Sequence, residues 1–259
     1  FGVCRKGQLM DLVALGSQTA RNGFRNEDDI IVKFNNWKTD VDSQKWLVIM
    51  GYKLDEIQSV MAVKIQRCKT DVQVQVMIDI KLKQYNDVQN LQVKLVSHGK
   101  GYNQIDKRWV DNYTELWSTP PDIVRLLKHY TGELPPYVGK TKDRRRMFIY
   151  EFPATDKQKL LDFFSENKFM IVTDILKGRG RMAAEWMLVA QKIQTNARWV
   201  LKAMNVAMNY YGSGEVKMSP HGSIHIGRVT VQRKGGDGGR ATANMLQFKI
   251  DPAELFNIS

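Results

Sequence analysis

Asp71, Gln92 and Lys94 bring a carboxylate, an amide and an ammonium into two short runs, TDVQVQVMIDI and NLQVKLV, of a 259-residue chain. In an extended strand, residues two apart share a face, so Gln92 and Lys94 point the same way and an antiparallel neighbour can set Asp71 beside them. Such a trio suits hydrolysis of a phosphodiester. A divalent cation held by oxygen would take the carboxylate and the backbone carbonyl of Val93, with water and phosphate completing its shell. A lysine beside it can orient or deprotonate water and offset the charge that develops on a pentavalent phosphorus. The same residues also suit an ordinary strand pair with a wet, charged face.

The elements that must hold these groups are read from periodicity. Val72, Val74, Val76 and Ile78 alternate with Gln73, Gln75, Met77 and Asp79, the period of a strand with one wet face. KQYNDVQ is a polar turn, and Leu91, Val93 and Leu95 then alternate with Gln92, Lys94 and Val96, which makes a hairpin. Upstream, Asn26 is read as an N-cap, with Glu27, Asp28 and Asp29 in the first turn at the positive end of the helix dipole. The apolar stripe Ile30 or Ile31, Phe34, Trp37, stepped back by one turn, puts Glu27 on the inward face.

A second helix is expected over Leu54 to Val63. Ile105, Trp109, Tyr113 and Trp117 fall at helical steps before STPP, where the prolines break the run. GELPPYVGKTKDRRR reads as a polar loop, and Leu160, Phe163, Phe164 and Asn167 as a short helix. KFMIVTDIL and AEWMLVAQKI read as buried strands, Ala197 to Tyr211 as a helix, and the glycine-rich tail as β. There is no internal repeat and no clean linker. The expectation is one α+β domain over 10–259, a central mixed sheet flanked by helices. Its first part, 10–131, holds the hairpin at 70–97 and the catalytic candidates, and its last part, 212–251, is the glycine-rich tail. Residues 1–9 are read as an extension without function.

Lys and Arg outnumber Asp and Glu by 39 to 27, a formal charge of +12, so the field of the molecule favours a polyanion. Nucleic acid is the first candidate and plain solubility the second. Two cysteines make no disulfide framework, and no CxxC or HExxH spacing offers a zinc site. No apolar run approaches the roughly 20 residues needed to span a bilayer, and the N-terminus lacks a signal-peptide core, so a cytoplasmic protein is expected.

LVALGSQTARNGFRNEDDI, TDVQVQV, QVKLVSHGKGYNQIDKRW, TGELPPY, TKDRRRMF, TDILKGRGRMAAEWMLVAQK, NARWVLKAMN, YYGSG and GRVTVQRKGGDGGRATANMLQFKIDP together resemble the type II restriction endonucleases of the HinP type, which cut the palindrome GCGC. The resemblance runs in order from Met10 to the end and points to Met10 as the natural start. It implies the PD-(D/E)xK nuclease fold, with the variant motif met here as Thr70-Asp71 and Gln92-Val93-Lys94. Gln92 stands where an acidic ligand is usual, so the metal site carries one charge fewer. The roles implied are Asp71 as principal Mg²⁺ ligand, the Val93 carbonyl as second, and Gln92 as amide ligand or water-orienting group. Lys94 positions water and the scissile phosphate, Glu27 acts through water, and Gln104 touches water or phosphate. Mn²⁺ would substitute for Mg²⁺, and Ca²⁺ would bind without supporting cleavage. Double-stranded DNA is the expected partner, a cognate methyltransferase acts on the same site, a bacterial cytoplasm is the setting, and the protein is a monomer or homodimer.

Telling G·C from C·G requires the major groove, where Arg or Lys bonds guanine O6 and N7 and a carboxylate or carbonyl accepts from cytosine N4. The tail supplies Arg228, Gln232, Arg233, Lys234, Asp237, Arg240, Asn244, Gln247 and Lys249. Lys100, Tyr102 and Asn103 follow the hairpin, and Tyr102 is a candidate wedge between base pairs. Arg144, Arg145, Arg146, Lys177, Arg179 and Arg181 are candidate phosphate clamps. His98, His129, His221 and His225 are scattered, and His221 and His225, without further ligands, read as strand or turn residues and not as a metal site. A structure-selective repair nuclease or junction resolvase would share the metal site, and a non-enzymatic DNA-binding protein would not need it.

Overall fold

The computed structural model describes residues 22, 25–65, 73–81, 86–97 and 101–258. Asp71 and Lys100 lie outside the described residues, as do Thr70, Val72 and His98. The chain forms two compact units. One draws on Ser17–Asn103, Leu176–Met208 and Asp251–Ser259, the other on Gln104–Ile175 and Asn209–Ile250.

The first unit is built on a five-stranded mixed sheet of β1 (Ile57–Ile65), β2 (Gln73–Ile80), β3 (Asn86–Val96), β5 (Trp186–Ile193) and β6 (Asn196–Ala203), in the order β1-β2-β3-β5-β6. The β3–β5 pairing is parallel and the others are antiparallel. The expected hairpin is present as β2–β3, with Gln73 opposite Gln92 and Asp79 opposite Asn86. Helix α1 (residues 25–35) and α2 (Val41–Ile49) lay Ile30, Phe34, Trp46 and Leu47 on Val60, Ala62, Val74, Val76, Ile78, Leu91 and Val93. Truncating a fully buried ring such as Phe34 to Ala in this layer would cost ~3–5 kcal/mol. A short 3₁₀ turn, Pro252–Asn257, packs against β3, β5 and β6. The side chains of β3 are accordingly buried from Asn90 to Lys94 on both faces.

Three expectations for this unit are corrected. Leu54 to Val63 is not a helix. Leu54–Glu56 makes one 3₁₀ turn, and β1 follows because Val60 and Ala62 face the core while Met61 and Val63 face out, a period of two. Ala197 to Tyr211 is helical only from Met204. Its first half is β6, paired along its length with β5 through a tight turn that holds Gln194 at φ 54°. Asn26 does not cap α1, since Arg25 before it is already helical, and its side chain is buried within the first described turn.

The second unit carries the sheet β4 (Asn103–Arg108), β10 (Leu246–Ile250), β9 (Val229–Arg233), β8 (Ile224–Ile226) and β7 (Val216–Met218), in the order β4-β10-β9-β8-β7. Ile224, Ile226, Val229, Val231, Leu246 and Phe248 are buried on one face. Helices α3 (Val110–Trp117), α4 (Pro121–Thr131) and α5 (Ala154–Glu166) supply the complementary layer, with Tyr113 and Trp117 edge-on to Phe248. Tyr130 donates its hydroxyl to the Val231 carbonyl at 2.8 Å. The helix expected from Ile105 starts only at Val110, because Ile105 belongs to β4. KFMIVTDIL is α6 (Lys168–Leu176) and not a strand. Ile171, Val172, Ile175 and Leu176 are buried at helical spacing, and a short helix that is apolar nearly all round carries the same composition as a buried strand. Among the described residues no helix is long and apolar enough to cross a membrane.

Candidate active site

The alternation of β3 sends Leu91 and Val93 into the core beneath α1 and α2 and leaves Gln92 and Lys94 on the opposite face. There they stand beside Met187 and Val189 of β5. Both are buried, Gln92 at 1% and Lys94 at 7% exposed, which polar side chains accept only when their bonding capacity is met.

The rung below shows a satisfied polar pair on this face. Asn90 accepts from Gln75 at 3.1 Å and donates to the carbonyls of Arg181 and Ala183 at 3.0 and 3.3 Å. The backbone N–H of Asn90 reaches a Glu185 carboxylate oxygen at 3.3 Å. Gln92, one rung on, differs. Its Oε1 is buried and has no hydrogen-bond partner among the described residues.

An orphaned amide oxygen beside a strand carbonyl is a donor set for a hard cation. Magnesium takes few protein oxygens and keeps several waters, so Gln92 Oε1, the Val93 carbonyl and one carboxylate fit it. Among the described residues no group of three or more His, Cys, Asp or Glu could hold a metal ion. The carboxylate expected here, Asp71, lies outside them.

Glu27 does point inward, as its place in the stripe predicts, and is 9% exposed. Its Oε2 lies 2.8 Å from Lys64 Nζ, and Lys64 also reaches Asp28 at 3.5 Å. Lys64 stands opposite Val74 in the β1–β2 ladder, which places it on the helix-covered face, the reverse of the face that carries Gln92 and Lys94. Next to Glu27, Asn26 Oδ1 is also buried without a partner among the described residues. Reading 54–63 as a helix hid Lys64 as the partner of Glu27. The period of two in SVMAV was the signal that would have found it.

Gln104 falls in the second unit. It accepts from Gln247 Nε2 at 2.7 Å, and Gln247 Oε1 in turn faces Gln232 Nε2 at 3.4 Å. The structure thus brings Gln104 together with two of the expected DNA-reading residues. Tyr102 is 63% exposed, and Asn103 bonds the Gly101 carbonyl at 3.3 Å.

The remaining tail residues sort by their bonds. Lys234 pairs with Asp237 at 2.5 Å, and Asp237 also takes the Thr242 hydroxyl. These two bonds hold the Asp237 carboxyl below the usual carboxylate range. Arg233 donates through Nε and Nη2 to Asn244 Oδ1 at 3.1 and 2.7 Å. Arg228 and Arg240 are exposed, with the Arg228 guanidinium 4.4 Å from the Tyr210 ring centre. Burial alone lowers the Lys249 ammonium from its ordinary value.

Of the clamp candidates, Arg145 is tied to both oxygens of Asp143, Arg146 lies over the Phe148 ring, and Arg144, Arg179 and Arg181 are exposed. Lys177 is half-buried. His129 Nδ1 sits 2.6 Å from the Pro135 carbonyl oxygen, a structural bond.

No curated protein sequence matches the chain. The solved structure of restriction endonuclease MspI in complex with its cognate DNA is similar in fold. It aligns with a TM-score of 0.62 at 16% identity over 92% of each chain. The family model described as R.HinP1I restriction endonuclease matches residues 50–256, a span that holds β1 to β10 and both Gln92 and Lys94. The chain belongs to the R.HinP1I restriction endonuclease family and is a site-specific deoxyribonuclease.

Proposed function

We propose that this chain is a type II enzyme that hydrolyses both strands of duplex DNA at the palindrome GCGC with Mg²⁺, within a restriction-modification pair whose methyltransferase acts on the same site. The observation that carries the reading is the buried Gln92 oxygen, without a hydrogen-bond partner among the described residues, on the strand face that also carries the buried Lys94. The β2–β3 register supports placing Asp71 with them. Partners step in opposite directions from Gln73–Gln92, so a continuation of that ladder by two residues would set 71 opposite 94.

In this reading Asp71, the Val93 carbonyl and Gln92 Oε1 hold the cation. When bound, magnesium stabilises negative charge on the phosphate and eases deprotonation of water. Mn²⁺ would substitute, and Ca²⁺ would bind without supporting turnover. Lys94, fixed by its neighbours on a covered strand, offers its ammonium to the scissile phosphate and to the attacking water. Its burial strengthens that interaction by excluding competing solvent. Gln92 sets the direction of the cation or of a water through its carbonyl. Glu27 holds Lys64 and, with it, the first turn of α1 against β1.

Base reading is assigned to the tail, with exposed Arg240 and the Lys234–Asp237 pair offering donors and an acceptor to guanine and cytosine edges. Tyr102, exposed on the segment before β4, suits a wedge that unstacks a base step. The DNA complex of MspI supports the assignment of duplex DNA as the substrate.

Asp71→Asn and Lys94→Ala should bind a GCGC duplex as the wild type does and fail to cut it with Mg²⁺. Wild-type cleavage rates from either would remove these residues from the mechanism. Cleavage of branched DNA in preference to plain duplex, without regard to sequence, would favour the structure-selective reading instead.

A further inference from the structure

We propose that Arg146 and Arg233 form a site for one tetrahedral anion, a backbone phosphate of the bound DNA, and that Arg233 therefore anchors the duplex and does not read a base. Gly132 brings the two together. A methyl group added there would lie 3.4 Å from Arg146 Cβ and 3.4 Å from Asn244 Oδ1, the atom that holds Arg233. It would also lie 2.8 Å from the Arg145 carbonyl oxygen, and Gly132 adopts φ +90°, so a side chain is excluded on two counts. Asn244 is fixed in turn by its bond to the Gly132 carbonyl at 2.9 Å.

The donors are preset and not used up. Arg146 has its guanidinium 4.0 Å from the Phe148 ring centre, which fixes its plane. Its Nε is buried without a hydrogen-bond partner among the described residues, and the Asp143 carboxylate comes no nearer to it than 4.0 Å. Asp143 spends both oxygens on Arg145, at 2.9 and 3.0 Å. Glu151, the other carboxylate nearby, is turned to the backbone N–H groups of Lys142 and Phe148. Arg233 gives Nε and one Nη2 donor to Asn244 and keeps the rest of its five N–H groups.

Arg146 and Arg233 are thus partly desolvated together, with no carboxylate hydrogen-bonded to either among the described residues. Burial lowers the pKa of each, and for Arg233 the neighbouring charges of Arg146 and Arg145 lower it further. Two such guanidiniums carry a standing cost that a phosphate oxygen pair relieves by charge-assisted, bidentate bonds. The DNA-cleaving reading supplies only the identity of the anion. The existence of the site does not depend on it.

The test uses Arg146→Gln and Arg233→Gln in the full chain, with Arg125→Ala as a control that removes one exposed charge elsewhere in the same unit. Two measurements are made. Thermal unfolding in inorganic phosphate against chloride, at matched ionic strength, should show a phosphate-dependent rise for wild type and control that is reduced in both variants. In chloride Arg146→Gln should melt no lower than wild type, because a repelled, unpaired charge has gone.

In the DNA measurement, the slope of log Kd against log salt on a GCGC duplex should fall by about 0.9 per lost phosphate contact, about 3- to 4-fold in affinity between 50 and 200 mM salt. The loss should be the same on a duplex with one base pair changed. Asp143→Asn should tighten both. Unchanged slopes, or a loss confined to GCGC, would overturn the proposal. A phosphate-dependent rise with no change in DNA slope would equally overturn the assignment to DNA. Failure of the wild type to bind DNA at all would count against the proposed function, and the phosphate measurement would still judge the site.

Discussion

Replacing Gln92 by Met separates a ligand-holding amide from a structural one. Met has similar length and volume and no carbonyl, so the strand stays filled. A buried carbonyl oxygen left without a hydrogen bond costs about 1–3 kcal/mol, and Gln92 Oε1 is such an atom among the described residues. Removing it should leave the fold unharmed or return part of that cost, at about 2–4 °C in Tm per kcal/mol for a chain of this size. Cleavage should behave in the opposite way, falling about 100-fold or more, the scale for losing one well-placed polar group from a reaction centre. The assay is single-turnover cleavage of a short GCGC duplex with saturating Mg²⁺, run beside thermal unfolding without metal. A protein that melts more than about 1 kcal/mol below wild type and cuts at the normal rate would show that the amide is satisfied internally, and the reasoning from its orphaned oxygen would fail.

Glu27→Ala takes from the half-buried Lys64 the carboxylate 2.8 Å from it, so unfolding experiments should show a loss of about 1–3 kcal/mol, largely recovered by Glu27→Ala combined with Lys64→Met. His225 is held below its ordinary pKa by burial and then by Lys217. The unfolded chain therefore binds its proton first, so stability present above about pH 6.5 should decline as pH falls below that value, and His225→Gln should flatten the decline in thermal melts across pH 5–7. Gly227 adopts φ +58°, with an added methyl 2.4 Å from the Ser213 carbonyl oxygen, so Gly227→Ala should lose at least ~1–3 kcal/mol in denaturant titrations. Tyr102→Ala should leave the fold unchanged and abolish the fluorescence rise of a base analogue placed within GCGC.

What could be read from the sequence was whatever depends on local period. The β2–β3 hairpin, the shared face of Gln92 and Lys94, and the inward turn of Glu27 all follow from alternation or from a helical stripe, and the structure has each. Segments whose periodicity is silent went astray. Residues 168–176 are apolar nearly all round, so the composition that suggested a strand equally fits the helix they form. Residues 57–63 and 197–203 become strands through pairing with β2 and β5, a contact that local propensity does not report.

The same limit applied to function. Lys64 was hidden by the wrong period. Arg144, Arg145 and Arg146 are one residue type in a row, yet exposure of the first, Asp143 bound to the second and Phe148 beneath the third make them three different groups. Arg233, grouped with the base readers, donates to Asn244 Oδ1, a partner that the sequence alone does not show.

The most direct test of the central claim is digestion of a plasmid of known sequence with Mg²⁺, followed by sequencing of the ends. Wild type should leave every end within GCGC, and Asp71→Asn should leave the plasmid intact. Ends scattered among unrelated sequences, or fragments produced equally by the variant, would contradict it.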